Sequence, residues 1–198
     1  MWSKSARPLK LPDRRPAIET LSRLRLSAPV ALVTGANRGL GFETARQLLA
    51  NGLAVVLAGR DAAGLERARR ALPEPDQRRA FTVQMDVTHV ESVNAAQRAV
   101  TEQVRCVNVL VNTAAVLLGE NDDLLSISAD DYRRTFETNL FGVIAVCRAF
   151  VPALARDRYG RVVNVSSGAG QLATGSVARG RAGSAVVLRI WVQISRHA

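Results

Sequence analysis

Cysteine and histidine are scarce, with two of each in 198 residues. Cys106 and Cys147 lie far apart with no CxxC spacing, and His89 and His197 form no cluster with them. A disulfide framework and a zinc site are thereby excluded, and no metal is expected. Lysine is restricted to Lys4 and Lys10, and tyrosine to Tyr132 and Tyr159. No stretch approaches the roughly 18 consecutive apolar residues of a membrane-spanning helix, and the N-terminus lacks the apolar core of a secretory signal. The expectation is a soluble, intracellular chain in the cytoplasm. Internal repeats and low-complexity segments are missing as well.

What is present is ordinary for a globular protein: 47% apolar and 22% charged residues, in a length that suits one domain with a sizeable core. The net charge of +10 would normally raise nucleic acid or an acidic membrane as a partner, but it sits at the ends. Residues 1–28 carry +5, residues 174–198 carry +4 with no acid, and the body between them carries only +1. A nucleic-acid module usually holds its basic face on the folded body, so neither nucleic acid nor membrane is expected as a partner. Pro8, Pro12 and Pro16 make residues 1–28 a basic arm that is expected to be disordered, extended up to Pro16, with Ala17 to Leu26 able to add a short helix. An Arg-rich targeting segment or a start assigned too early are the alternatives.

From Pro29 the periodicity changes. Val30 to Val33 is a short apolar run, followed by a glycine turn and then Ala45, Leu48 and Leu49 at helical spacing. Ala54 to Ala58 predicts a second strand, Asp61 to Leu72 a charged helix, Pro73 to Asp76 a loop and Phe81 to Met85 a third strand. Val93, Ala96, Val100 and Val104 mark one face of a third helix, and Val107 to Val111 a fourth strand. Tyr132, Phe136, Leu140, Val143, Cys147, Phe150 and Leu154 predict the buried stripe of a long helix, before a fifth strand at Val162 to Val165. Continuous apolar strands alternating with amphipathic helices imply an α/β fold, a doubly wound parallel sheet covered on both faces. With right-handed crossovers the strand order is 3-2-1-4-5.

The turn Thr34-Gly35-Ala36-Asn37-Arg38-Gly39-Leu40-Gly41 leaves a strand and opens a helix. Its glycines permit a tight turn and close backbone approach, so a pyrophosphate can sit on the free amides and the positive end of the helix dipole. The second strand ends at Gly59-Arg60, where a dinucleotide site reads the adenosine ribose. Gly59 offers no carboxylate to the ribose hydroxyls, whereas Arg60, with Arg38 from the glycine loop, suits a 2′-phosphate. This favours NADP(H) over NAD(H). Asp61, one residue late, is the competing group that would face the ribose, and solvated surface arginines are the structural alternative.

These residues resemble the short-chain dehydrogenase/reductase family, close to its carbonyl-reductase-like branch, over about residues 29–173. Thr34 to Gly41 match the family's TGxxxGxG motif, a Rossmann-like cofactor turn that includes Thr34, Gly35, Asn37, Arg38, Gly39, Leu40 and Gly41. Asp86 and Val87 match its adenine contact, and Asn112-Thr113-Ala114-Ala115 its NNAG motif, with Asn112 and Ala114 on the cofactor. Asn139 matches the catalytic-helix asparagine, and Asn164-Val165-Ser166-Ser167 the strand-end serine motif, with Ser167 as the catalytic serine. The resemblance implies an oxidoreductase that transfers hydride between NADPH and a small-molecule carbonyl or alcohol substrate. Homo-oligomers are common in such a family but doubtful for this chain.

Two departures stand out. Thr113 replaces the second Asn of the NNAG motif, and Ala115 its Gly, adding a methyl that would crowd the cofactor. The family's YxxxK motif, about a dozen residues after the serine, is missing: an Arg-, Gly-, Ala- and Ser-rich stretch begins near residue 174, and no YxxxK can be drawn anywhere. The expectation is a C-terminally incomplete domain, 29–173, with an atypical tail, 174–198, and impaired catalysis. A frame-shifted, truncated product and a non-catalytic dinucleotide-binding protein both fit these residues.

Overall fold

The computed structural model describes residues 28–104, 106–117, 127–154 and 160–165. Ser167, most of the basic arm and the tail lie outside the described residues. Strand β1 (Val30–Thr34) runs into helix α1 (Gly39–Ala50), then β2 (Ala54–Gly59), α2 (Ala62–Arg70) and the short α3 (Glu74–Gln77). The chain continues through β3 (Ala80–Gln84), α4 (Val90–Gln103) and β4 (Val109–Asn112). A long helix follows in three parts, α5 (Ala129–Phe136), a π-helical turn (Glu137–Gly142) and α6 (Val143–Leu154), before β5 (Arg161–Asn164). The strands form one parallel sheet in the order β3-β2-β1-β4-β5, with β1 central, as the periodicity predicts.

Alternation along each strand divides the core between the two faces. Val30 and Leu32 of β1, with Ala54, Val56 and Ala58 of β2, face α4 and α6, where Val93, Val100, Val146 and Phe150 meet them. Ala31, Val33, Val55 and Leu57 face the opposite way, onto Ala45 and Leu49 of α1 and Leu65 of α2. Strands buried on both sides have no polar row, which is why they read as unbroken apolar runs. At the β5 edge Val162 is buried, while Val163 and Val165 are exposed.

Two expectations change. The segment after Pro73 contains a one-turn helix rather than only a loop: Pro73 caps it and Pro75 sits in its first turn, where a missing N–H costs nothing. The buried line of the long helix is Thr138, Gly142, Val146, Phe150 and Leu154. Phe136 is exposed, and Tyr132, Leu140, Val143 and Cys147 are only partly buried. The π-helical turn inserts one residue into the helical ladder and so rotates the two halves of the helix relative to each other. The helix Ala129–Leu154 is also long and apolar enough, by length and composition, to cross a membrane. Its Val146, Phe150 and Leu154 instead belong to the core over the sheet, while Phe141 and Ile144 face outward.

Candidate functional site

In a parallel sheet all carboxyl ends of the strands lie along one edge, and the crevice opens where the chain reverses direction across the sheet. Here that point lies between β1, paired with both β2 and β4, and the loops that follow them. A cleft of about 310 Å³ occupies it, lined by Thr34 to Gly41 except Ala36, by Gly59, Arg60 and Asp61, by Met85 to Thr88 and by Thr113 to Val116. Among the sequence candidates Thr34, Gly35, Asn37, Arg38, Gly39, Leu40, Gly41, Arg60, Asp86, Val87 and Ala114 all line it. Asn112 and Asn139 do not, and they act on its walls from behind.

The glycine turn is shaped by its neighbours. Gly35 adopts φ +67°, and a Cβ there would lie 2.9 Å from the Ala114 Cα. A Cβ on Gly41 would collide with the Gly35 carbonyl and come within 2.8 Å of Thr113 Oγ1. Gly39 also has positive φ, +57°, yet has nothing within 4 Å of its side-chain position. It therefore offers bare backbone to open space. Gly39, Leu40 and Gly41 form the first turn of α1, where amides have no helical acceptor, and no side chain caps this end.

Thr34 locks this turn to the loop after β4. Its side chain is buried, and its hydroxyl oxygen accepts from the amides of Thr113 and Ala114, both at 3.0 Å. The Thr113 hydroxyl donates back to the Thr34 carbonyl. The Thr113 departure thus fills a structural role here, while Ala115 is one of the residues that line the cleft. Asn112 is 4% exposed; its amide nitrogen donates to Asn164 Oδ1 at 2.8 Å and reaches Cys147 Sγ at 3.5 Å. It ties the ends of β4 and β5 together. Burial pushes the Cys147 thiol up from its ordinary value, against a smaller lowering by Asn112.

Asn139, in the π-helical turn, clasps Val116 twice: its Oδ1 accepts from the Val116 amide at 2.9 Å and its Nδ2 donates to the Val116 carbonyl at 2.8 Å. Its side chain braces the wall of the cleft. Gly142, in the same π-helical turn, packs instead on the loop after β3, because a Cβ there would meet Val87 Cγ2 at 2.8 Å. On the far side Asp86 accepts from the amide and hydroxyl of Thr88, at 2.9 and 2.7 Å. Burial alone would raise its carboxyl, but the Thr88 bonds, Arg60 and His89 together bring it below the ordinary value.

The charged residues around the end of β2 are unequally engaged. Among the described residues, neither the Arg38 nor the Arg60 guanidinium has a carboxylate at ion-pair distance. Asp61 does have a partner: its Oδ2 lies 3.3 Å from Arg67 Nη2. Asp61 is at the same time one of the residues that line the cleft.

Sequence reasoning missed Thr138, which is buried and lines the cleft beside Val87. A regular helical period places it off the buried line, and only the π insertion brings it in. It also passed over Thr88, which follows the Asp86-Val87 pair, and took Thr113 only as a departure from the family motif. Among the described residues no group of His, Cys, Asp or Glu has the makings of a metal site.

A family model described as short chain dehydrogenase matches residues 29–179. The chain is 35% identical over 150 residues to "Short-chain dehydrogenase anuI" of Penicillium roqueforti, covering 74% of this chain and 59% of that protein. It is 38% identical over 143 residues to carbonyl reductase (NADPH) 1 of Mus musculus, covering 71% and 50%. Among solved structures, an actinorhodin polyketide ketoreductase variant with NADPH superposes with a TM-score of 0.67 at 34% identity, covering 77% of this chain and 57% of that one. The chain thus spans little more than half the length of these relatives.

Proposed function

This chain belongs to the short-chain dehydrogenase family, and from that premise we propose that it is an NADP(H)-binding oxidoreductase domain whose present sequence lacks the means for efficient turnover. The observation that carries the reading is the pair of arginines, Arg38 and Arg60, lining one cleft without carboxylate partners among the described residues. The fit to a dinucleotide rests on Gly39: a positive φ and open space beside a helix N-terminus suit a phosphate that no side chain could share with it. A bound NADPH would supply hydride to a carbonyl carbon.

In this reading the chain's own residues divide the work. Gly35, Asn37, Gly39, Leu40 and Gly41 hold the pyrophosphate, Arg38 and Arg60 the 2′-phosphate, and Asp86 and Val87 the adenine. Thr34, Asn112 and Ala114 fix the wall beside the nicotinamide ribose. Asn139 braces that wall through Val116, and Ser167 orients the carbonyl oxygen. The nucleotide domain spans 29–173, between the basic segments 1–28 and 174–198. We place it in the cytoplasm, acting on a small-molecule carbonyl or alcohol, since its near-neutral body offers no basic face for nucleic acid or an acidic membrane.

The YxxxK pair is missing from the sequence in hand, and a positioned general acid commonly supplies about 10² to 10⁴ in rate. Tyr159 comes before β5 in the sequence, whereas the family's tyrosine follows the serine that comes after that strand. Tyr132 lies two helical turns before Asn139, in the part of the long helix that precedes the π-helical turn. Mixing the purified chain with NADPH and a panel of aldehydes, ketones and quinones tests both halves of the proposal. Reduced-nicotinamide emission should change on binding while its absorbance stays constant. Turnover that Ser167→Ala abolishes would contradict the catalytic half, and unchanged emission would contradict the binding half.

A further inference from the structure

The NADP(H) reading leaves one acid unexplained. Asp61 lines the same cleft as Arg38 and Arg60, where its charge would repel a 2′-phosphate and attract ribose hydroxyls. Its carboxylate instead lies back over the start of α2, where three features hold it. Arg67, two turns along that helix, places Nη2 at 3.3 Å from Asp61 Oδ2. Gly64 provides the room: a Cβ there would stand 2.5 Å from the same oxygen and 3.0 Å from Asp61 Cγ. The N-terminal end of α2 also favours a negative charge beside it. Gly64 is buried, so the space it leaves is filled by this carboxylate and by Asn37, whose Nδ2 would stand 3.4 Å from a Cβ there, rather than by solvent.

We propose that Gly64 and Arg67 are specificity-determining positioning residues: they hold the Asp61 carboxylate off Arg38 and Arg60 and thereby keep both arginines available for the 2′-phosphate. The inference rests on the NADP(H) reading and goes one step further, because it assigns cofactor choice to two residues that touch no cofactor. If Arg67 is removed or Gly64 gains a side chain, the carboxylate loses its position and swings toward the two arginines. There it pairs with Arg60 or meets the ribose, weakening NADPH and strengthening NADH.

The pair is exposed, with the Arg67 and Asp61 side chains 74% and 54% accessible, so the effect is modest. Exposed pairs of this kind shift an equilibrium about two- to fivefold, and less at high salt. The test is a double-mutant cycle on the full chain, reading the ratio of NADH to NADPH dissociation constants at fixed low ionic strength. Arg67→Ala and Gly64→Ala should each lower the ratio about two- to fivefold, and Arg67→Lys should retain it. In the Asp61→Ala background, Arg67→Ala should have no effect, because there is no carboxylate left to hold. A wild-type preference for NADPH that Arg67→Ala leaves intact would overturn the inference and spare the NADP(H) reading. So would an equal loss in both backgrounds, which would mean that Arg67 acts on the phosphate directly. A wild-type chain without preference would overturn the reading itself.

Discussion

Thr34 shows how much of this site depends on single hydroxyl groups. One buried oxygen accepts from two amides of the loop after β4, so the turn that would receive a pyrophosphate is fixed to the strand beside it. Thr34→Val keeps the shape and removes the acceptor, leaving two part-buried amides without this partner. The expected loss is about 2–4 kcal/mol, read from urea unfolding midpoints. Asp86 gives a pH signature. Its carboxyl is held below its ordinary value in the folded chain, so the stabilisation is present above the unfolded value of about 3.9 and is lost as pH falls through the folded one. Wild type should therefore exceed Asp86→Asn in stability at about pH 7, and the difference should shrink toward about pH 3. Residue types announced both positions, since a Thr-Gly and an Asp-Val stand directly after strands. The direction in which Asp61 points was not legible, because it depends on Gly64 and Arg67 in a helix that the sequence only marks as charged.

Among the elements, the strands and the glycine turn were the most readable, because an apolar run buried on both faces has one simple explanation. The long helix was readable as a helix but not in its facing. Its apolar residues, taken at steps of three and four, made Phe136 and Phe150 equivalent. The π-helical turn between them separates the two: Phe150 is 2% exposed and Phe136 is 37% exposed. Phe150→Ala should cost about 3–5 kcal/mol, as large-to-small changes in packed cores do. Phe136→Ala should cost within about 1 kcal/mol. Comparable losses, measured by thermal or denaturant unfolding, would mean that the helix is regular through Glu137–Gly142. The same insertion places Asn139 against Val116 and Thr138 in the cleft lining, so the element the periodicity concealed is also the one that builds this wall.

For the molecule as a whole, the strand order followed from short right-handed crossovers and needed no information from side chains. The position of the cleft followed from it, since parallel strands present their carboxyl ends together at the reversal between β1 and β4. Ser167 lies outside the described residues, and the described walls of the cleft come from strand ends, the first turn of α1 and the π-helical turn. The net charge of +10 is carried by the ends of the chain, and the body near +1 keeps its two cleft arginines as local features rather than parts of a basic face. That makes cofactor discrimination the property on which the functional reading depends most. Its direct measurement is calorimetric titration of the full chain with NADPH and with NADH, for wild type and Arg60→Ala. NADPH should bind about ten- to a hundredfold more tightly to wild type, the contribution of a charge-assisted arginine contact to phosphate, and Arg60→Ala should erase most of that margin. Equal or tighter binding of NADH by the wild-type chain would contradict it.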